Sequence, residues 1–184
     1  GAFAAAVPRL WNSYRDTLDR VYEAMPHLPR NFLQSVYPAA AFNLGPDVIC
    51  KAHLDGRNLS YGQCAITALG SYDFTKGGHL YAWELGLIIQ FPPGSTILVP
   101  SACVTHGNTP IQPGECRASF TQYCAGPLFQ WVSYGCRTGT QLLKDDPAAK
   151  KASDTMGAAR WLEGLALYSK VSELHDDLHT VFLP

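Results

Sequence analysis

The sequence predicts a mainly β fold with helical flanks: an antiparallel two-sheet jelly roll, the double-stranded β-helix of cupin-like proteins. Two observations carry this. Between Val36 and Tyr134, short β-branched and aromatic runs alternate with clusters of glycine, proline and asparagine. On either side of that block the apolar residues recur at helical steps instead.

The first element is a helix. Trp11, Tyr14, Leu18, Val21, Tyr22 and Met25 share one face, with Arg15, Asp16, Asp19, Arg20 and Glu23 opposite, and Pro26 and Pro29 stop it. Strands are expected over 39–44, 48–53, 62–69, 80–83, 87–90, 96–99, 103–106, 117–123 and 129–132. Turns fall at Gly45-Pro46, Lys76-Gly77-Gly78, Pro92-Pro93-Gly94 and Gln112-Pro113-Gly114. After Arg137 the chain is helix-like again: Pro147 suits a first helical turn, and 158–171 is rich in helix formers. With no internal repeat and no low-complexity linker, the expectation is one domain over 1–184. It has a helical flank over 1–35, a jelly-roll core over 36–137 and a second helical flank over 138–184.

Composition bounds the function. A chain of 184 residues, 47% hydrophobic and 16% charged, can bury a sizeable core. Its formal net charge of -1 excludes a global basic footprint for nucleic acid and leaves only a local rim for such contacts. The apolar stretch over 85–91 is broken by Gly86 and Gln90 and is too short to span a membrane. The opening apolar residues lack a charged segment and do not read as a signal peptide. The cysteines Cys50, Cys64, Cys103, Cys116, Cys124 and Cys136 show no C-x-x-C spacing, and most fall in strand-like runs. They read as free thiols in an intracellular, reducing compartment rather than as a zinc or disulfide framework.

The chemistry concentrates in a few residues. His53 and Asp55, two apart at a strand end, project to one side of the chain, and His106 ends a later expected strand. Two imidazoles and one carboxylate suit Fe(II), because they occupy one face of an octahedron and leave the other open. Arg117 and Ser119 share a strand face and offer two guanidinium bonds plus a hydroxyl, a match for the far carboxylate of 2-oxoglutarate. Asn43, at the end of an expected strand, is a further candidate for the co-substrate pocket; satisfying local backbone groups is the alternative. A lone H-x-D is an ordinary turn motif, and the ordered set with His106 and Arg117 is what points to iron, with 2-oxoglutarate and O2 as co-substrates.

At these residues the chain resembles the TET/JBP family of iron- and 2-oxoglutarate-dependent nucleic-acid dioxygenases. The stretches 41–46, 64–70, 76–80, 91–101 and 119–123 resemble its basidiomycete fungal branch. The likeness runs from about Phe42 to Arg137 and omits the terminal helices. It implies His53, Asp55 and His106 as iron ligands, and Arg117 and Ser119 as 2-oxoglutarate contacts. It further implies Asn58 on the target cytosine, Tyr123 stacked on a flipped base, and oxidation of the methyl group of a 5-methylpyrimidine in DNA or RNA, with a nuclear location. One departure stands out. DNA-active members carry a base-pairing histidine two residues past the aromatic, where this chain has Ala125. A lost base-edge contact is worth ~1–3 kcal/mol of discrimination.

Two other readings stay open: the same chemistry on a small molecule or a peptide side chain, and a catalytically silent jelly-roll binding module. The remaining motifs read as structural. Phe129 and Trp131 are assigned to core rather than to the site mouth, and His175 and His179, at i,i+4 spacing but without an adjacent glutamate, to a solvated helix face.

Overall fold

Alternation along the middle of the chain folds into two antiparallel sheets, both within Pro38–Ala125 of the computed structural model, which describes residues 1–182. The strands are β1 (Ala39–Asn43), β2 (Cys64–Ser71), β3 (Leu80–Ala82), β4 (Leu87–Ile89), β5 (Thr96–Val99), β6 (His106–Asn108) and β7 (Cys116–Tyr123). One sheet has the order β1-β7-β2-β5 and the other β4-β3-β6. The chain changes sheet between β2 and β3, β4 and β5, β5 and β6, and β6 and β7. That interleaving of two antiparallel sheets is the double-stranded β-helix the sequence led us to expect.

Register places the key positions. β1 pairs with β7 so that Asn43 faces Ser119, and β2 pairs with β7 so that Gly70 faces Arg117. Gly70 has φ +115°, and a Cβ there would sit 2.2 Å from the Cys116 carbonyl oxygen, so only glycine lets the strands close at this end. Between the sheets Ile66, Ala68, Tyr72, Leu80, Phe91 and Val99 form a buried core, with Phe74, Ile89, Ile97 and Ile111 packed on it. The Tyr72 hydroxyl donates to the Phe91 carbonyl, which satisfies the one polar atom that this aromatic brings inside.

Three expected strands are corrected. The run over 48–53 forms a single isolated bridge, His53 with His106, and a second, Asp47 with Arg117, falls just ahead of it. The reason lies in Asn108, whose side-chain oxygen accepts the Cys50 N–H at 2.8 Å and so replaces a ladder bond. The run over 103–106 begins as a turn, with the Cys103 and Val104 amides both donating to the Pro100 carbonyl, so His106 opens β6 instead of closing a strand. The run over 129–132 is helical, because Gly126-Pro127 starts a helix and Val132 is its buried residue.

The second unit comprises Gly1–Tyr37 and the chain from Gly126 onward. It holds α1 (Ala2–Ala6), α2 (Pro8–Ala24), α3 (Gly126–Ser133), α4 (Gly139–Asp145), α5 (Pro147–Thr155), α6 (Arg160–Ala166) and α7 (Leu174–Phe182). Pro8 starts α2, whose buried face carries Leu10, Tyr14, Leu18 and Val21 as the periodicity requires. Phe3, Tyr37 and Phe129 pack their rings on Tyr14 or on each other at 5.2–5.8 Å between centroids, which accounts for Phe129 as core. Arg9 ties α2 to Glu173 and Asp177 at 2.8 Å each. His175 and His179 lie on one face of α7 with ring centroids 4.7 Å apart. Among the described residues, no helix is long and apolar enough to cross a membrane.

Candidate metal centre

His53, Asp55 and His106 come together at one end of the smaller sheet. Backbone pairing of His53 with His106 adds a partial fourth strand beyond β6 and sets the two imidazoles side by side, with ring centroids 4.4 Å apart. Asp55 enters from the following turn, in which the Asn58 amide donates to the Asp55 carbonyl at 2.8 Å. His53 Nε2 lies 3.6 Å from Asp55 Oδ1, His106 Nε2 lies 4.0 Å from Asp55 Oδ2, and all three ligand atoms fall within 4.8 Å of one another. Among the described residues, this is the cluster of histidine, cysteine and acidic side chains able to hold a metal ion.

Both histidines are prepared in the same way. His53 Nδ1 sits 2.8 Å from the Lys51 carbonyl, and His106 Nδ1 sits 2.9 Å from the Val104 carbonyl. A carbonyl accepts only, so each Nδ1 carries the proton and each Nε2 is left as the free lone pair. This is the arrangement metal-binding histidines use to fix tautomer and ring orientation. The turn ahead of His106 is itself anchored. Glu84 accepts from the Thr105 amide at 2.7 Å and from its hydroxyl at 2.5 Å, which holds the Glu84 carboxyl below the usual carboxylate range.

A cavity of about 410 Å3 opens beside these three residues. Arg117, Ser119, Thr121 and Tyr123, alternate residues of β7, all line it, with Asn43 and Asn58. Arg117 is only 3% exposed. Its Nη1 donates to the Val48 carbonyl at 3.3 Å, whereas its Nε is buried with no hydrogen-bond partner. Burial pushes the neighbouring Tyr72 phenol up, and the Arg117 charge partly offsets that. A buried cation that lines a cavity and has one unsatisfied donor fits an anionic ligand far better than it fits an apolar core. Ser119 is equally buried, and the Asn43 amide donates to its Oγ at 3.0 Å, so Asn43 spends its side chain on Ser119 and not on the backbone.

The structure thus brings every candidate site residue to one cavity. Asn58 lines it with its amide nitrogen already within 3.1 Å of Asp55 Oδ2, Ser101 Oγ and Cys64 Sγ. Tyr123 lines the same cavity. Ala125 lies beside Asn58 through an isolated bridge.

Sequence reasoning missed Asn108, Ser101 and Cys64. Asn108 was within reach, since it follows His106 by two in β6 and so shares its face. It lines the cavity and caps the Cys50 amide. Ser101 and Cys64 gave no signal as single residues; only the fold brings their side chains to 2.9 Å.

Fold and site together define a jelly-roll protein whose mouth carries a two-histidine, one-carboxylate face able to hold a metal ion, beside a buried arginine. No protein-family model matches the chain, and no curated protein matches it. Among solved structures, NgTET1 in complex with 5mC DNA gives a TM-score of 0.44 at 20% identity, covering 58% of this chain and 42% of that one. The viral collagen prolyl hydroxylase vCPH from Paramecium Bursaria Chlorella virus-1, in its 2OG complex, gives 0.33 at 13% identity, covering 62% and 72%. This chain therefore spans less than half the length of the first.

Proposed function

We propose that the chain is an iron(II)- and 2-oxoglutarate-dependent dioxygenase that oxidises a C–H bond of its substrate. One observation carries the reading: the His53, Asp55 and His106 cluster shares a cavity with the buried Arg117, whose Nε is left unsatisfied. A metal alone explains the first and an anion alone the second; a metal-chelating keto-diacid explains both.

His53 and His106 would hold the metal through Nε2, and Asp55 through its carboxylate. Iron there supplies the redox chemistry by which O2 and 2-oxoglutarate give succinate, carbon dioxide and a hydroxylated substrate. The protein's part is placement. Arg117 and Ser119 bind the far carboxylate, which turns the keto end of the co-substrate toward the three ligands. Asn43 holds the Ser119 hydroxyl in line for that contact. Burial of Arg117 and Ser119 keeps bulk water away from the co-substrate end and strengthens both contacts.

For the substrate, the motif resemblance together with Tyr123 on the cavity wall supports a methylated pyrimidine in DNA or RNA, swung out of its stack to reach the metal. A second reading, a small molecule or a peptide side chain, draws on Ala125 and on an overall charge of -1, which together supply neither a second base-edge contact nor a basic track. The test is incubation with Fe(II), 2-oxoglutarate and methylated oligonucleotides, with succinate assayed and nucleosides analysed by mass spectrometry. Succinate with an oxidised base supports the first substrate. Succinate without one keeps the enzyme class and removes the nucleic acid. No succinate under any substrate condition removes the enzyme.

A further inference from the structure

The turn that precedes β6 reaches across to the metal-binding carboxylate. Ser101, 1% exposed, accepts the Asp55 backbone N–H through its carbonyl at 2.9 Å. Its hydroxyl lies 3.1 Å from Asn58 Nδ2, and the same nitrogen lies 3.1 Å from Asp55 Oδ2. Cys64 Sγ completes the group at 2.9 Å from Ser101 Oγ and 3.1 Å from Asn58 Nδ2.

The donor count fixes one bond of the group, from Asn58 to the acceptor-only carboxylate. Asn58 Nδ2 has two hydrogens; the carboxylate oxygen accepts one, and the second goes to Ser101 or Cys64. Burial pushes the Cys64 thiol up to about 11, so it stays protonated and can donate to the Ser101 oxygen. Asp55 is thus gripped twice, at its backbone and at one carboxylate oxygen. The same turn carries the Val104 carbonyl that sets His106. One short segment therefore addresses two of the three ligands.

Resting on the iron reading above, we infer that Asn58 and Ser101 are positioning residues for Asp55, aligning its carboxylate toward the metal. A free Asp55 on an exposed turn would sample several rotamers, and only some of them face the two Nε2 atoms. Holding Oδ2 from behind selects among these and leaves Oδ1 for the ion. Outer partners of this kind are worth 10–100-fold in metal affinity.

The probe is Co(II), titrated into the whole metal-free chain and followed by its visible absorption, which reports the ligand set without turnover. Asn58→Ala and Ser101→Ala should each weaken Co(II) binding by roughly 10–100-fold and alter the band shape, with far-ultraviolet circular dichroism unchanged. In an Asp55→Ala background, Asn58→Ala should cost nothing further, because its effect passes through that carboxylate. Asn58 is only half-buried, so its variant stands as the test even where Ser101→Ala fails to fold. Wild-type Co(II) affinity in Asn58→Ala overturns the inference, as does an equal loss in the Asp55→Ala background. So does a loss of turnover on methylated oligonucleotides with Co(II) binding intact, which returns Asn58 to the substrate. Absence of Co(II) binding by the wild-type chain is a different result; it removes the enzyme reading itself.

Discussion

His53 and His106 exchange both of their backbone hydrogen bonds, each N–H reaching the other's carbonyl at 3.0 Å. Their side chains emerge as neighbours from this one pair, yet into unlike surroundings: the His53 side chain is 44% exposed and that of His106 is 5% exposed. Alanine at either position removes one of three ligands and should weaken metal binding by more than the ~10–100-fold expected for loss of an outer partner. The stability costs should differ. His106→Ala leaves the buried Val104 carbonyl without its partner and should cost about 1–3 kcal/mol. His53→Ala, half in solvent, should cost under about 1 kcal/mol. Urea unfolding in the presence of a chelator measures both, and equal losses would show that the difference in burial has no energetic weight.

Gly107 lies between His106 and Asn108, and a Cβ there would sit 2.6 Å from the Cys50 carbonyl oxygen and 2.2 Å from the Tyr81 hydroxyl. The phenol can swing away. The backbone of residue 50 cannot, since its carbonyl also accepts the Asn108 N–H. Gly107→Ala should therefore push the His53 segment off β6, costing about 1–3 kcal/mol and weakening metal binding at a distance from any ligand atom. Gly56, with nothing within 4 Å of a built Cβ, is the control, and Gly56→Ala should stay within about 0.5 kcal/mol of wild type. Tight metal binding by Gly107→Ala would mean that the bridge does not set the ligand spacing.

The sequence made the ligand set legible because it is local and alternating. H-x-D fixes two side chains on one side of an extended chain, and Arg117, Ser119 and Tyr123 share a face of β7 by the same rule. Strand edges were less legible. At 48–53 a side chain, Asn108, replaces a backbone partner, and no propensity encodes that. At 129–132 aromatic and β-branched residues resembled a strand, while Gly126-Pro127 had already committed the chain to a helical turn. Least legible was the group behind Asp55. Ser101 lies 43 and 37 residues from Asn58 and Cys64 and meets them only once β2 has paired with β5.

Two buried thiols give the fold a base-sensitive side. Burial raises Cys64 to about 11, and burial with Cys64 nearby raises Cys124 to about 12. A folded-state value above the unfolded one means that the unfolded chain loses these protons first as pH rises. The stabilisation is fully present below the ordinary thiol value of about 9 and is lost as pH climbs through about 11 to 12. Stability should fall between mildly and strongly alkaline pH, and Cys124→Ala should flatten that fall even though its cavity lowers stability at neutral pH. Unfolding curves collected across the range test it; parallel pH profiles for variant and wild type would exclude the thiols as the cause.

Arg117 should behave oppositely in two assays. Without ligand, its buried guanidinium has an orphaned Nε and only a long 3.3 Å bond to the Val48 carbonyl beside its contact with the neutral Tyr72 phenol, so its desolvation is poorly compensated. Arg117→Met keeps most of the volume and removes the charge, and the ligand-free chain should be as stable as wild type or up to about 1–4 kcal/mol more stable. With 2-oxoglutarate the order reverses. Wild type gains about 1.4 kcal/mol for each tenfold excess over the dissociation constant, whereas Arg117→Met should gain almost nothing. Arg117→Lys retains charge without the planar fork and should lie between. Thermal unfolding with and without the diacid, at fixed Co(II), reads all three. A methionine variant that is still stabilised by 2-oxoglutarate would place the carboxylate elsewhere in the cavity.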